Sequence, residues 1–222
     1  MSATHVRQHN SMLAAAEKRT LIWIAERLPR WINSDHLSAL GLTAMAGAGA
    51  SFVLAGTDPV AGAILVVLCL LLNWFGDSLD GTLARVRDQQ RPRYGYYLDH
   101  VSDLAGTALL FAGLAASGYM SLTIATLVVA AFFLVSAETY LATHARGVFK
   151  MSFMGVGPTE LRILLAAGAI ALINSPTVSP FGIGPVRLWD LGGVVGALGM
   201  AMTFVISSTR NVRALYVEET RR

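Results

Sequence analysis

The chain has 222 residues, of which 54% are hydrophobic and 14% charged, with a formal net charge of +3 and a mean hydropathy of +0.55. That balance excludes an ordinary soluble domain and points to an integral membrane protein of one domain, since the apolar runs follow one another with connections too short to hold a second core. The single cysteine, Cys69, lies inside an apolar run and excludes a disulfide framework.

Residues 1–12 read as a disordered tail, and no cleaved signal peptide is expected ahead of the first apolar run. Over 13–32, Leu21, Ile22, Trp23, Ile24, Leu28, Trp31 and Ile32 are interleaved with Lys18, Arg19, Arg27 and Arg30. This predicts an amphipathic helix in the membrane interface, its tryptophans at headgroup level and its cations toward anionic lipid. A first span over 35–56 is rich in Gly, Ala and Ser, which permits close helix contact, and Ser34 or Asp35 is expected to cap it.

After a turn at Gly56 to Pro59, a second span covers 60–87, oily from Ala61 to Leu72 and polar beyond. At about 1.5 Å per residue, Asp77 lies about 27 Å from Pro59, near the opposite membrane face. The third span, 95–117, starts from that same face, so Asp99 and Asp103 enter where Asp77 and Asp80 leave. A fourth span is expected at 121–145, a loop at 146–157, a fifth span from Pro158 to Asn174, an irregular loop at 175–188 and a sixth span at 189–208.

The fold class expected is therefore all-α: a polytopic membrane protein with six transmembrane helices and an N-terminal interfacial amphipathic helix. It divides into a tail and interfacial helix at 1–33, a membrane domain at 34–209 and a polar C-terminal tail at 210–222. In this arrangement every one of the 17 Lys and Arg residues except Arg187 falls on one side. The positive-inside rule then predicts a multi-pass cell-membrane protein with both termini and the acidic cluster cytoplasmic.

Carboxylates in membrane spans are costly and point to function. On a helix, Asp77, Asp80, Gly81, Ala84 and Asp88 fall within an arc of about 100°, while Asp99 and Asp103 lie one turn apart with Gly95 one turn earlier. If the two faces meet, the four acids repel unless a cation sits among them. An all-oxygen donor set without Cys or His at ligand spacing suits Mg2+ or Mn2+ rather than Zn2+. Gly81 and Ala84 leave room for a bulky ligand to approach the backbone, and Arg85 at the edge of that face can grip phosphate bidentately. The stretch reads as a diphosphate site.

Taken together, Asp77-x-x-Asp80-Gly81-x-x-Ala84-Arg85, nine intervening residues, and Gly95-x-x-x-Asp99-x-x-x-Asp103 resemble the signature of the CDP-alcohol phosphotransferase family, with eight specified positions across 27 residues. The resemblance implies displacement of CMP from a CDP-linked lipid donor, usually CDP-diacylglycerol, by the hydroxyl of a small alcohol or alcohol phosphate. It implies that Asp77, Asp80, Asp99 and Asp103 hold one or two divalent ions, with two as the expectation, and that Asp103 doubles as the base for the attacking hydroxyl. It further implies that Asp77, Gly81, Ala84 and Arg85 contact the CDP moiety, joined by Asp35 and Ser38 from the start of the first span. Gly/Ala-rich span faces and the family's habit imply a homodimer among membrane lipids, with no nucleic acid as partner.

Three other readings compete. A salt-bridge network with Arg85, Arg87, Arg91 and Arg93 would not need Gly81 or Ala84. An intramembrane Mg2+-dependent prenyltransferase fits the acids but not the Gly81/Ala84/Arg85 set, and a divalent-cation transporter would need acids along the membrane depth, where only Glu138 lies. For the acceptor, Arg146, Lys150, Thr159, Glu160 and Arg162 gather at the ends of spans four and five, a basic cluster suited to inositol phosphate or glycerol phosphate. The run Gly157 to Arg162 is similar instead to the Thr-Glu segment of amino-alcohol phosphotransferases. His100 points off the carboxylate face and reads, like His144, as a supporting or interfacial residue.

Overall fold

The computed structural model describes residues 12–147, 158–182 and 184–220. Most of the expected N-terminal tail, Lys150 with the loop around it, and Arg221 and Arg222 lie outside the described residues.

Seven α-helices account for nearly all of the described chain: α1 (Met12–Arg27), α2 (Ser34–Ala55), α3 (Pro59–Val86), α4 (Pro92–Ala116), α5 (Leu122–Arg146), α6 (Pro158–Ala171) and α7 (Leu188–Thr220). The segment expected to be an irregular loop contains a small antiparallel clip between β1 (Thr177–Val178) and β2 (Val186–Arg187), with Thr177 opposite Arg187 and Val178 opposite Val186. The sharp reversal between them runs through Gly182 and Gly184, both at positive φ, which glycine adopts without steric cost.

Among the described residues four helices, α2, α3, α5 and α7, are both long and apolar enough to cross a membrane. The two other expected spans fall short for different reasons. Helix α4 has 25 residues, about 37 Å, but Asp99, His100 and Asp103 dilute its apolar character. Helix α6 has 14 residues, about 21 Å against a hydrocarbon core of about 30 Å. Conversely, α7 has 33 residues, about 50 Å, and runs straight through the segment expected to be a polar tail. Apolar side chains point outward along the long helices, among them Ile64, Leu68 and Leu71 on α3, Leu127 and Leu134 on α5, and Val195, Leu198 and Met202 on α7. A lipid environment accounts for such exposure, and water does not.

Asn33 caps α2: its Oδ1 accepts from the His36 amide at 2.9 Å, and the Asn33 amide donates back to His36 Nδ1 at 3.3 Å. The cap thus sits one residue before the expected Ser34 and two before Asp35, which frees both of those side chains for contacts with α3 and the α3–α4 turn. Asp58 caps α3, accepting from the Ala61 amide at 3.0 Å, with Pro59 in the first turn.

The helices meet almost backbone to backbone. A Cβ on Gly76 of α3 would lie 2.5 Å from the Leu37 carbonyl oxygen and 2.9 Å from the Gly41 nitrogen of α2. A Cβ on Gly113 of α4 would enter the main chain of Gly49 of α2, and a Cβ on Gly49 would lie 2.6 Å from the Leu109 carbonyl oxygen of α4. A core of Ala48, Phe52, Val66, Leu70, Leu110, Leu114, Met120 and Trp189 fills the end away from the acids, with Phe52 and Trp189 edge to face at 5.2 Å.

A second cluster, Leu21, Ala25, Leu37, Leu79 and Leu83, lays α1 on α3. Part of the apolar face expected to lie in lipid is therefore buried against protein, although Trp23 and Trp31 remain 55% and 73% exposed. The turn between α1 and α2 is tied down by Arg87, whose guanidinium donates to the carbonyls of Leu28 at 2.8 Å, Pro29 at 3.0 Å and Ile32.

Because the Gly49/Gly113 crossing has no space to give, Gly113→Leu should destabilise the protein by at least about 1–3 kcal/mol, the usual cost of overpacking. Gly199→Leu, where an added Cβ meets no atom within 4 Å, should leave stability unchanged. Thermal melts of the two variants in detergent check the contrast.

Candidate active site

Helices α3 and α4 bring their acids together at one end. Carboxylate oxygens of Asp77, Asp99 and Asp103 all lie within 4.8 Å of one another. Three oxygens of this kind, hard and anionic, form a donor set suited to a divalent cation, and without one their mutual repulsion is unrelieved except by neighbouring positive groups.

Two groups flank the cluster, one of them a cation. Arg162 of α6 donates from Nη2 to Asp77 Oδ2 at 2.7 Å, and from Nε to Asn73 Oδ1 at 2.7 Å. Asn73, buried one turn before Asp77, donates in turn from Nδ2 to the Gly41 carbonyl at 3.0 Å. On the other flank, His100 Nδ1 lies 3.2 Å from Asp99 Oδ2, and its buried ring is packed by Tyr96 and Tyr140, with centroids at 4.1 and 5.0 Å.

Asp80 stands apart from the other three acids. Its Oδ2 accepts from Ser38 Oγ at 2.7 Å and its Oδ1 faces the Gly81 amide, while Ser34 Oγ donates to the Asp80 carbonyl at 2.5 Å. The expected convergence of four carboxylates is thus three together and one held toward α2. Gly81 and Ala84 are partly open, as their small side chains require for close ligand approach. The Arg85 guanidinium is exposed and donates to Thr82 Oγ1 at 3.1 Å. Asp35 is ion-paired with Arg91, whose guanidinium lies 4.3 Å from the Tyr94 ring centroid. Both border a cleft of about 430 Å³ that also includes Ser34, Ala84 and Gln89.

Of the expected acceptor residues among those described, Arg162 alone is shown in contact with the carboxylates. Thr159 and Glu160 are exposed at the start of α6. Arg146 is turned to α7, where it donates to Asn211 Oδ1. Asn211 Nδ2 donates to Glu138 Oε1 at 2.5 Å and Ser207 Oγ to Glu138 Oε2 at 2.8 Å, so the buried Glu138 belongs to an α5–α7 junction rather than to the cluster. Asn73 is the site residue that sequence reasoning missed. Its position four residues before Asp77, on the same helical face of an apolar run, was the available signal.

A helical membrane protein with carboxylates, a guanidinium and a polar cleft gathered at the ends of its helices is equipped to hold a polyanionic substrate through cations. The sequence matches the CDP-alcohol phosphatidyltransferase family over residues 35–205, and the chain belongs to that family. It is an integral membrane enzyme, a CDP-alcohol phosphotransferase of phospholipid biosynthesis. Among curated proteins, none matches the sequence significantly. Its fold is similar to the crystal structure of Mycobacterium tuberculosis phosphatidylinositol phosphate synthase (PgsA1) with CDP-DAG bound, at 21% identity and a TM-score of 0.55, covering 89% of this chain and 92% of that one. The apo form of the same synthase matches at 20% identity and a TM-score of 0.54, covering 90% and 94%.

The Ser38 to Asp80 hydrogen bond links α2 to the signature. Ser38→Ala should cost about 1–2 kcal/mol, because Asp80 loses its hydroxyl donor in a partly buried setting. The melting temperature of the purified variant against wild type measures it.

Proposed function

We propose that the enzyme transfers a phosphatidyl group from CDP-diacylglycerol to the hydroxyl of an alcohol phosphate and releases CMP at the cytoplasmic face. The observation that carries this reading is the meeting of Asp77, Asp99 and Asp103 within 4.8 Å on the family signature, with Arg162 beside them. A structure of similar fold was solved with CDP-DAG bound, which supports the donor. A guanidinium at the cluster supports a phosphorylated acceptor, such as inositol phosphate or glycerol phosphate, over an amino alcohol.

In this reading Asp77, Asp99 and Asp103 hold divalent cations, Mg2+ or Mn2+, with Asp80 completing a two-ion site. Bound there, the cations supply charge neutralisation of the donor diphosphate and of the departing phosphate. Asp103, the most exposed of the three, takes the proton from the acceptor hydroxyl. The acceptor oxygen forms its bond to the phosphatidyl phosphorus as the bond from that phosphorus to the CMP oxygen breaks. Gly81 and Ala84 let the nucleotide lie against α3, Arg85 meets its phosphate, and Ser38 keeps Asp80 oriented. Asp35, at the cleft, reaches the nucleotide once Arg91 yields. The Lys and Arg distribution supports cytoplasmic termini and a cytoplasmic site, and the small-residue helix faces support a homodimer.

Asp103→Asn should lower CMP release by about 10²–10⁴-fold, the range for losing a general base, while CDP-diacylglycerol binding is largely kept. Turnover near the wild-type rate, measured on purified protein with Mg2+ and acceptor, would contradict the base assignment. Chelation of divalent ions should abolish CMP release, and added Mg2+ or Mn2+ should restore it.

A further inference from the structure

The Arg162 guanidinium is gripped at two points by partners of different kinds. Its Nε rests on the neutral amide of Asn73, and its Nη2 on the carboxylate of Asp77, both at 2.7 Å. The Asn73 amide is fixed in turn, because its Nδ2 is committed to the Gly41 carbonyl and its Oδ1 must then face Arg162. The side chain is only 14% exposed, so neither grip is diluted by bulk water.

The two grips respond differently to charge. The Asn73 bond joins a cation to a neutral group and is anchored on α2 and α3 backbone, so it is insensitive to what occupies the acidic cluster. The Asp77 bond uses an oxygen of the very carboxylate that closes the three-acid set. A divalent cation on that set competes for the same carboxylate and cancels the negative charge that holds the guanidinium.

We infer that Arg162 is a phosphate arm released by metal binding, with Asn73 as its pivot. Arg162 relieves the repulsion of the acids by pairing with Asp77. When the three carboxylates take a divalent cation, Nη2 gives up Asp77 while Nε stays on Asn73, and the freed side of the planar fork turns to the phosphate of the acceptor. Arg162 then contacts substrate directly, and Asn73 is a positioning residue. This rests on the metal-holding role proposed above for Asp77, Asp99 and Asp103. Its consequence is reciprocal coupling: cation and phosphate each tighten the binding of the other.

The test is Mn2+ binding to the full-length protein in detergent, read by electron paramagnetic resonance of the free ion, with and without inorganic phosphate and corrected for Mn2+–phosphate association in solution. In the wild type, phosphate should tighten Mn2+ binding by at least about fivefold. Arg162→Gln should bind Mn2+ alone several-fold more tightly than wild type and lose the phosphate effect. Asn73→Ala should retain wild-type affinity for Mn2+ alone, since Asp77 is still contested, yet lose most of the phosphate effect.

Should Arg162→Gln fail to fold, Arg162→Lys carries the same test. A lysine keeps the charge near Asp77 but cannot bridge to Asn73, so Mn2+ binding alone stays near wild type and the phosphate coupling falls. Glycerol 3-phosphate should reproduce the phosphate effect in an Arg162-dependent way, whereas any effect of CMP should persist in the Arg162 variants. A CMP effect that vanishes with Arg162 would assign the arm to the donor and overturn the acceptor assignment. If the wild type binds no Mn2+, the metal site itself falls. If it binds Mn2+ but Arg162→Gln changes neither the affinity nor the phosphate coupling, the arm alone falls.

Discussion

Three carboxylate oxygens held within 4.8 Å of one another repel, and the protein keeps them there by backbone packing. Gly76, one residue before Asp77, lets α3 press against the main chain of α2, and Gly113 does the same for α4 ten residues beyond Asp103. Neither contact leaves space for a methyl group, so the two acid-bearing helices cannot relax apart without losing their shared support on α2. The repulsion is therefore stored at the site and is available to favour a cation.

Around this core of charge the chain arranges supports that are mostly neutral or singly charged. Ser38 and the Gly81 amide occupy Asp80, Asn73 steadies Arg162, and the His100 ring is packed between Tyr96 and Tyr140 beside Asp99. Arg87 spends its donors on three carbonyls of the α1–α2 turn, which fixes the wall of the neighbouring cleft rather than the acids themselves. One guanidinium on Asp77 is too little charge to balance three carboxylates, and that imbalance separates this cluster from a structural ion-pair network.

The signature was legible because its chemistry is local: acids and small residues at helical spacing share a face whatever the rest of the chain does. What was not legible depended on which neighbour each face meets. Asp80 shares a helical face with Asp77, but its offset around α3 is enough to turn it toward Ser38 of α2 instead of the acids of α4. Arg146 and Arg162 looked alike as cations at helix ends, yet one turns to Asn211 and the other to Asp77. Ser34 and Asp35 were the expected caps of α2, but tertiary contacts draw Ser34 to the Asp80 carbonyl and Asp35 to Arg91, and Asn33 caps the helix instead. The last third of α7 read as a polar tail from its composition, but nothing between 200 and 220 is a Gly or Pro that would stop a helix already under way.

The account stands or falls on the leaving group and its dependence on a cation. The direct measurement is product analysis of purified protein incubated with CDP-diacylglycerol and a panel of alcohols and alcohol phosphates, with Mg2+, with Mn2+ and with chelator. The account predicts CMP and a new phosphodiester lipid, formed only with a divalent ion and with a phosphorylated acceptor ahead of an amino alcohol. Release of pyrophosphate in place of CMP, or CMP formation that chelation does not diminish, would contradict it.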